Sequence, residues 1–334
     1  MVNDNYRRGH IMRTKEFQGL VNSLEQLTAV QRQQLQDRLK EAEDSPPVIA
    51  WIEGQSQERP LCPHCQAGGP MRWGKKDGVP RFRCRQCNRT FNLLTNTPLA
   101  RLRHKERWPI FAKSMIEGQT IHKSAESCGV HYNTTFRWRH RFLRLPAEMK
   151  AKILTGIAEA DETFVLRSHK GQRNLERSPR KRGGKASKRG RSGELVCILV
   201  ARDRTGATTD HVLETFTSNT LSDVLQSVLS QDTMLCTDGL SVYNRFARNA
   251  NITHKALNIK AGIRVLDKVF HIQNVNAYHS RFKNWMRRFK GVATSYLPNY
   301  LGWHRWLDRN NSHPMPEWLL LDALGRRYFV PANT

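Results

Sequence analysis

Two Cys-x-x-Cys pairs, Cys62-Pro63-His64-Cys65 and Cys84-Arg85-Gln86-Cys87, are separated by 18 residues. Each pair offers two thiolates from one tight turn, and two such turns at this distance suit a tetrahedral Zn²⁺ ion. No other feature constrains the fold so closely, because the intervening chain must leave and return to one point. Met71-Arg72-Trp73-Gly74 and Val79–Cys84 read as short strands of a zinc ribbon spanning residues 60–97. His64 is a fifth candidate ligand beside four well-spaced thiols and reads as a bystander. Cys128, Cys197 and Cys236 are scattered in apolar settings, which fits a reducing, cytoplasmic compartment better than a disulfide framework.

Charge narrows the partner. The chain of 334 residues carries 55 Lys+Arg against 29 Asp+Glu, a formal net charge of +26. That excess calls for a polyanion, nucleic acid before membrane. No apolar run approaches the ~20 residues of a membrane span, and the N-terminus lacks the apolar stretch of a signal peptide. Residues 1–61 are nearly balanced, with 8 Lys+Arg and 9 Asp+Glu, so the main nucleic-acid surface is expected elsewhere. Within residues 1–50, Phe17, Leu20, Leu24, Leu27, Val30 and Leu35 recur at roughly helical spacing. Ser23-x-x-Gln26 and Thr28-x-x-Gln31 have capping-box form, so a helical hairpin breaking near Leu27 and ending at Ser45-Pro46-Pro47 is expected.

Residues 102–146 read as a helix-turn-helix unit. Lys105–Glu117 carries Trp108, Phe111, Ala112, Met115 and Ile116 on one side. Thr120 caps a short helix Ile121–Cys128, Gly129-Val130 turns, and His131–Leu143 follows with Phe136, Trp138 and Phe142. The last helix places Tyr132, Asn133, Thr134, Arg137 and Arg141 outward, as contacts to phosphates and base edges require. A plain three-helix packing unit is the alternative, but 17 Lys+Arg against 4 Asp+Glu from Cys62 to Leu145 argue against it. Pro146 then separates this module from the remainder.

Thr155–Val165 sets Asp161 and Glu162 in a run apolar on both sides. A carboxylate there costs on the order of several kcal/mol unless a partner is supplied. Glu162, one residue on, points to the opposite face of the strand. Residues 167–193 form a basic loop; Arg167–Arg191 holds 11 Lys+Arg, including Arg180, Lys181 and Arg182, against one acid. Such a composition cannot order itself and reads as a mobile clamp on phosphates. Glu194–Arg202, the turn Asp203–Gly206 and Ala207–Val212 make a hairpin. Ser218–Leu229 is an amphipathic helix, Thr233–Thr237 a short buried strand ending at Asp238-Gly239, and Tyr243–Ala250 a helix.

This order gives an α/β fold, an RNase H-like mixed sheet over residues 152–310, behind the helical segment, zinc ribbon and helix-turn-helix. If the first and fourth strands are neighbours, Asp161 and Asp238 meet at the carboxyl ends, where open sheets bind ligands. Asp238 as a helix N-cap is the alternative. On the helix Asn274–Lys290, Val275, Tyr278, Phe282, Trp285 and Phe289 form a docking stripe. Asn276, His279, Lys283, Arg287 and Lys290 lie on the neighbouring face, toward the crevice edge. Residues 311–334 read as a C-terminal tail.

The chain resembles bacterial insertion-sequence transposases of the ISXO-like group, which have an N-terminal zinc ribbon and a DDE-type, RNase H-like core. The resemblance covers most of residues 62–308. It rests on the paired Cys-x-x-Cys motifs, A-D-E-T-F around Asp161, C-T-D-G around Asp238, and V-N-A-Y-H-S-R-F-K followed by Y-L-G-W. It implies a zinc-ribbon and helix-turn-helix region that binds element ends in double-stranded DNA. It also implies two-metal strand cleavage and transfer by a homo-oligomer on DNA, in a cytoplasmic, nucleoid-associated setting. Asp161 and Asp238 match the first two acids. The third departs: no Glu occupies residues 274–290. His279 aligns where close relatives carry Glu, whereas Asn276 with Lys283 matches a variant with Asn and a downstream basic residue.

Mg²⁺ would take Asp161, Asp238 and the Asn276 carbonyl; His279 suits Mn²⁺ better, or serves as a general acid without binding metal. DNA contacts are expected from Asn133, Thr134, Arg137, Arg141, Arg180, Lys181, Arg182 and Arg287. Two other readings keep the DNA-binding region: a non-catalytic regulator, that is, a domesticated or inactive transposase, and a nuclease that cuts without joining. Metal-dependent nicking excludes the first, and joining of the new 3′ ends excludes the second.

Overall fold

The computed structural model describes residues 14–43, 48, 60–76, 79–175, 178, 184–188, 192–311 and 313–325. Helices α1 (Thr14–Ser23) and α2 (Ala29–Glu43) break around Leu27, as expected. Thr28 and Gln31 cap α2 reciprocally: Thr28 N donates to Gln31 Oε1 at 3.0 Å and Gln31 N to Thr28 Oγ1 at 3.3 Å. Ser23 makes no such cap. It ends α1, and its hydroxyl donates back to Leu20 O.

The strands β1 (Met71–Lys76), β2 (Val79–Arg83) and β3 (Thr90–Asn92) form an antiparallel sheet that carries the cysteine turns. The sequence reading lacks β3, whose three residues are too short to show a period. It is held by Phe91 stacking on Phe82, centroids 5.7 Å apart.

Helices α3 (Trp108–Ile116), α4 (Ile121–Cys128) and α5 (Tyr132–Phe142) follow the expected helix-turn-helix order. Thr120 caps α4 and Gly129, at φ 59°, turns the chain between α4 and α5. Trp108, Phe111, Ala112 and Met115 are fully buried, but Phe136, expected on the inner side of α5, is 40% exposed.

The large sheet runs β4 (Ile157–Leu166), β5 (Leu195–Asp203), β6 (Thr208–Leu213), β7 (Met234–Thr237) and β8 (His254–Ala256), in spatial order β6-β5-β4-β7-β8. The β4–β5–β6 meander is antiparallel, and β7 and β8 are parallel to β4. This is an RNase H-like sheet. On one face, Ala158 and Ala160 pack with Leu221, Leu225, Tyr243 and Phe246 of helices α7 (Ser218–Gln226) and α8 (Ser241–Ala250). On the other, Ile198 and Val200 pack with Val275, Tyr278 and Phe282 of α9 (Gln273–Met286) and with the tryptophans of α10 (Leu297–Arg309).

That second core is shared with the helix-turn-helix. Pro146, expected to divide two modules, is buried inside the short helix α6 (Arg144–Glu148) at their seam. Gly302 of α10 meets α6 so closely that a Cβ there would lie 2.4 Å from Ala147 Cα. Arg305 donates to Pro146 O and Ala147 O at 3.0 Å, and Trp303 Nε1 to Met115 O at 3.1 Å. Buried Arg139 of α5 donates to Gln119 O at 2.7 Å and lies 4.8 Å from the Trp303 ring centroid. Residues 311–334, expected as a tail, include α11 (Pro316–Ala323), whose Leu319, Leu320 and Leu321 are buried in this shared body. Trp306 Nε1 donates to Asp322 Oδ2 at 2.8 Å, tying α10 to α11.

Candidate active site

Two constellations carry chemistry. In the first, Cys62, Cys65, Cys84 and Cys87 bring their sulfurs within 4.8 Å of one another. The two turns repeat one backbone design. Gln66 N donates to Cys62 O and Asn88 N to Cys84 O, and Gln66 and Asn88 both take the left-handed conformation, at φ 62° and 58°. The Sγ separations of 3.6 Å (Cys62–Cys87) and 3.5 Å (Cys65–Cys84) far exceed the ~2.05 Å of a disulfide. They approach the ~3.8 Å edge of a tetrahedron built on Zn–S bonds of ~2.3 Å. The Cys87 N–H, against desolvation and with help from the Gln86 N–H, pulls the Cys84 thiol down to about 6, toward the thiolate a metal takes. The donor set therefore fits a structural metal such as zinc. Among the described residues no other group of three or more His, Cys, Asp or Glu side chains closes so tightly.

The second constellation lies where the middle of β4 meets the carboxyl end of β7. Their parallel register pairs Ala158 with Leu235 and Glu159 with Cys236. Asp238 follows directly on the end of β7 at Thr237, the strand that neighbours the one carrying Asp161. Asp161 lies on the α9 face of the sheet, and its Oδ2 is 3.5 Å from His279 Nδ1. His279 is 6% exposed, and its Nε2 is buried without a hydrogen-bond partner. Asp238 Oδ1 accepts from Leu240 N at 3.1 Å, bending the chain into α8. It thus fills a turn role as well as standing at the strand end. Asn276, Lys283 and Arg287 lie on the exposed side of the same helix and its last turn. The polar stripe expected as one surface is therefore divided, with His279 turned inward and the others outward. Glu162 faces away as expected, accepting from Tyr243 Oη at 2.9 Å, and its charge joins burial in raising the Tyr243 hydroxyl well above its ordinary value.

One residue of this site escaped the sequence reading. Glu159, fully buried two residues before Asp161, pairs with Arg204 and accepts the Val275 N–H in the first turn of α9 at 2.9 Å. Arg204 also donates to Val269 O at 2.9 Å, and His271 Nδ1 lies 3.3 Å from Glu159 Oε1. A carboxylate at a helix N-terminus is favoured by the open N–H groups and the helix dipole. Glu159 thereby fixes α9, and with it His279, against the strand that carries Asp161. Its only sequence signal is a second acid at strand period from Asp161.

Apart from Arg287, exposed just after α9, the expected DNA-contact residues separate into three groups. Asn133, Thr134 and Arg137 lie on the open side of α5, exposed or half-buried. Arg141 does not project freely: it donates to Pro98 O and to Ala100 O, fastening the segment after the ribbon to α5. Arg180, Lys181 and Arg182 lie outside the described residues. The start of the basic loop is anchored, with Ser168 N donating to Thr294 Oγ1 and Lys170 Nζ to Gly291 O, both at 2.9 Å. No helix among the described residues is long and apolar enough to cross a membrane.

Residues 153–306 match the family model of the ISXO2-like transposase domain. An uncharacterised protein in the transposable element ISH50 of Halobacterium salinarum is 27% identical over 258 residues, covering 76% of this chain and 85% of its own. Among solved structures, the chain is similar to one in the pre-cleavage Mos1 transpososome, with 13% identity, a TM-score of 0.26, and coverage of 65% of this chain and 78% of that one. It is also similar to a chain of the simian T-cell lymphotropic virus intasome, at 12% identity and a TM-score of 0.30, covering 47% of this chain and spanning about half (49%) of that one.

Proposed function

We propose that this insertion-sequence transposase, with its ISXO2-like domain over residues 153–306, binds the ends of its element and cuts and joins DNA strands there, using Asp161, Asp238 and His279. The observation that carries the reading is the pairing of Asp161 with buried His279 at 3.5 Å, beside the parallel strand β7 that ends at Thr237, just before Asp238. Carboxylates on β4 and just after its neighbour β7, with an imidazole whose Nδ1 faces the first of them, suit divalent ions, Mg²⁺ or Mn²⁺. Bound there, such ions would activate the attacking oxygen and stabilise the leaving one.

The chain's own residues supply the rest. Asp161 and Asp238 provide negative charge from β4 and from the turn after its inner neighbour β7. His279 holds its imidazole between Asp161 and the protein interior, placed to ligate or to move a proton at Nδ1, the nitrogen that faces Asp161. Glu159 and Arg204 fix the helix that bears it. Asn276, exposed one turn earlier, Lys283 and Arg287 face outward and suit flanking phosphates. The recognition helix reads the end through Asn133, Thr134 and Arg137, and the loop of residues 167–193 adds cations for the phosphate backbone.

The test is strand cleavage of duplexes carrying the element's ends. Asp161→Asn and Asp238→Asn should abolish cleavage while leaving end binding intact, since affinity comes from Lys and Arg elsewhere. His279→Ala should cost as much as either, and Asn276→Ala should cost little. Wild-type cleavage by Asp161→Asn would leave a DNA-binding regulator as the better reading. A harsher loss from Asn276→Ala than from His279→Ala would move the third role to Asn276.

A further inference from the structure

One charged surface is left over by this site. Between the zinc ribbon and the recognition helix α5 lies a cleft of about 800 Å³. His64, Lys76, Arg81, Arg101, Arg137 and Arg141 line it, with hydroxyl and amide side chains and no acid among the described residues. Arg141 is held by loop carbonyls, and Arg81 donates to Thr90 Oγ1 at 3.1 Å. Lys76, Arg101 and Arg137 are exposed and have no ion-pair partner among the described residues. The walls are set in place: Asn96 Nδ2 donates to Pro63 O at 3.0 Å, and Arg101 sits at φ 61°. A long side chain adopts that left-handed conformation when its surroundings impose it. Cations gathered in one fixed cleft repel each other, and a polyanion relieves the repulsion.

We propose that this cleft seats the phosphodiester backbone of duplex DNA, with Lys76, Arg81 and Arg101 on phosphates beside the base pairs that α5 faces. The assignment rests on the end-binding reading above and extends it to residues of the ribbon and of the segment behind it. Such contacts add affinity and salt dependence, and set the position of the duplex without reading its sequence. The ribbon is then a second jaw, and its cysteine centre keeps that jaw in shape.

The experiment uses full-length, zinc-loaded protein and fluorescence anisotropy over a salt series, with one duplex carrying the element's own end and one scrambled duplex. Combining Lys76→Ala, Arg81→Ala and Arg101→Ala should weaken both affinities together by about tenfold or more and make the log–log salt slope shallower by about 2–3. The preference between the duplexes should not change. Arg81→Lys with Arg101→Lys, which keeps the charge, should keep the wild-type slope. A wild-type slope in the alanine variant would overturn the cleft assignment alone, and so would a loss confined to the end duplex. A wild-type protein without preference for its own end would overturn the end-binding reading, while an alanine-sensitive slope on scrambled DNA would still uphold the cleft.

Discussion

Glu159 does at the scale of one residue what the strands do at the scale of the sheet: it sets one part of the site against another. Asp161 and Asp238 are legible in the sequence because each ends or interrupts an apolar run, and His279 because it falls in helical phase beside a docking stripe. Glu159 is not legible, because its partners Arg204, His271 and Val275 come from distant stretches and each is ordinary in its own. Nor could spacing choose between His279 and Asn276, which differ by one turn and separate only when the helix is docked. If Glu159 holds α9 in place, Glu159→Ala should strand the buried side of Arg204, free the first turn of α9, and lower cleavage by at least about tenfold. Removing one member of a buried pair costs roughly 3–5 kcal/mol. Glu159→Gln, which retains an acceptor for the Val275 N–H, should be milder. Cleavage rates and thermal melts of the two variants check this, and equal losses would mean that the charge alone matters.

Among the elements, the short ones were hardest to read. β3 and β8 have three residues each, too few for any period, and are held by neighbours rather than by propensity. α11 follows Pro314 and reads as chain end, yet its leucines close the helical body under Trp108 and Phe111. Leu319→Ala and Leu320→Ala should therefore each cost roughly 2–5 kcal/mol, as buried large-to-small changes do. Urea unfolding monitored by tryptophan fluorescence would report the loss. Zinc content should stay unchanged, because the ribbon has its own small core of Cys62, Cys84 and Phe91. If both variants unfold at the wild-type midpoint, α11 is not part of that body.

For the whole molecule, the seam between the helix-turn-helix and the sheet is the feature that sequence hid most completely, since Met115, Pro146, Gly302 and Arg305 acquire their roles only through each other. Three histidines lie along it. Burial, with the nearby Arg139, pushes His140 down to about 4. Burial, with Lys150, does the same to His211, and burial brings His304 to about 4. All three start from 6.5 in the unfolded chain, so on acidification the unfolded state takes up protons first. Their contribution is complete above pH 6.5 and is lost as the pH falls toward 4. The melting temperature should drop by roughly 5–10 °C across that window, and His304→Asn should flatten the profile. A flat wild-type profile, with zinc content followed in parallel, would contradict it.

Because α10 and α6 touch backbone to backbone at Gly302, the helix proposed to read DNA and the sheet proposed to cut it form a ruler with no joint. The distance from recognised sequence to broken bond is then a property of the protein, counted in base pairs and in angle around the duplex. Inserting about 5 bp, half a helical turn, between them should silence cleavage instead of moving the cut. An articulated enzyme would swing to follow, so cleavage that tolerates the insertion would show that the ruler bends.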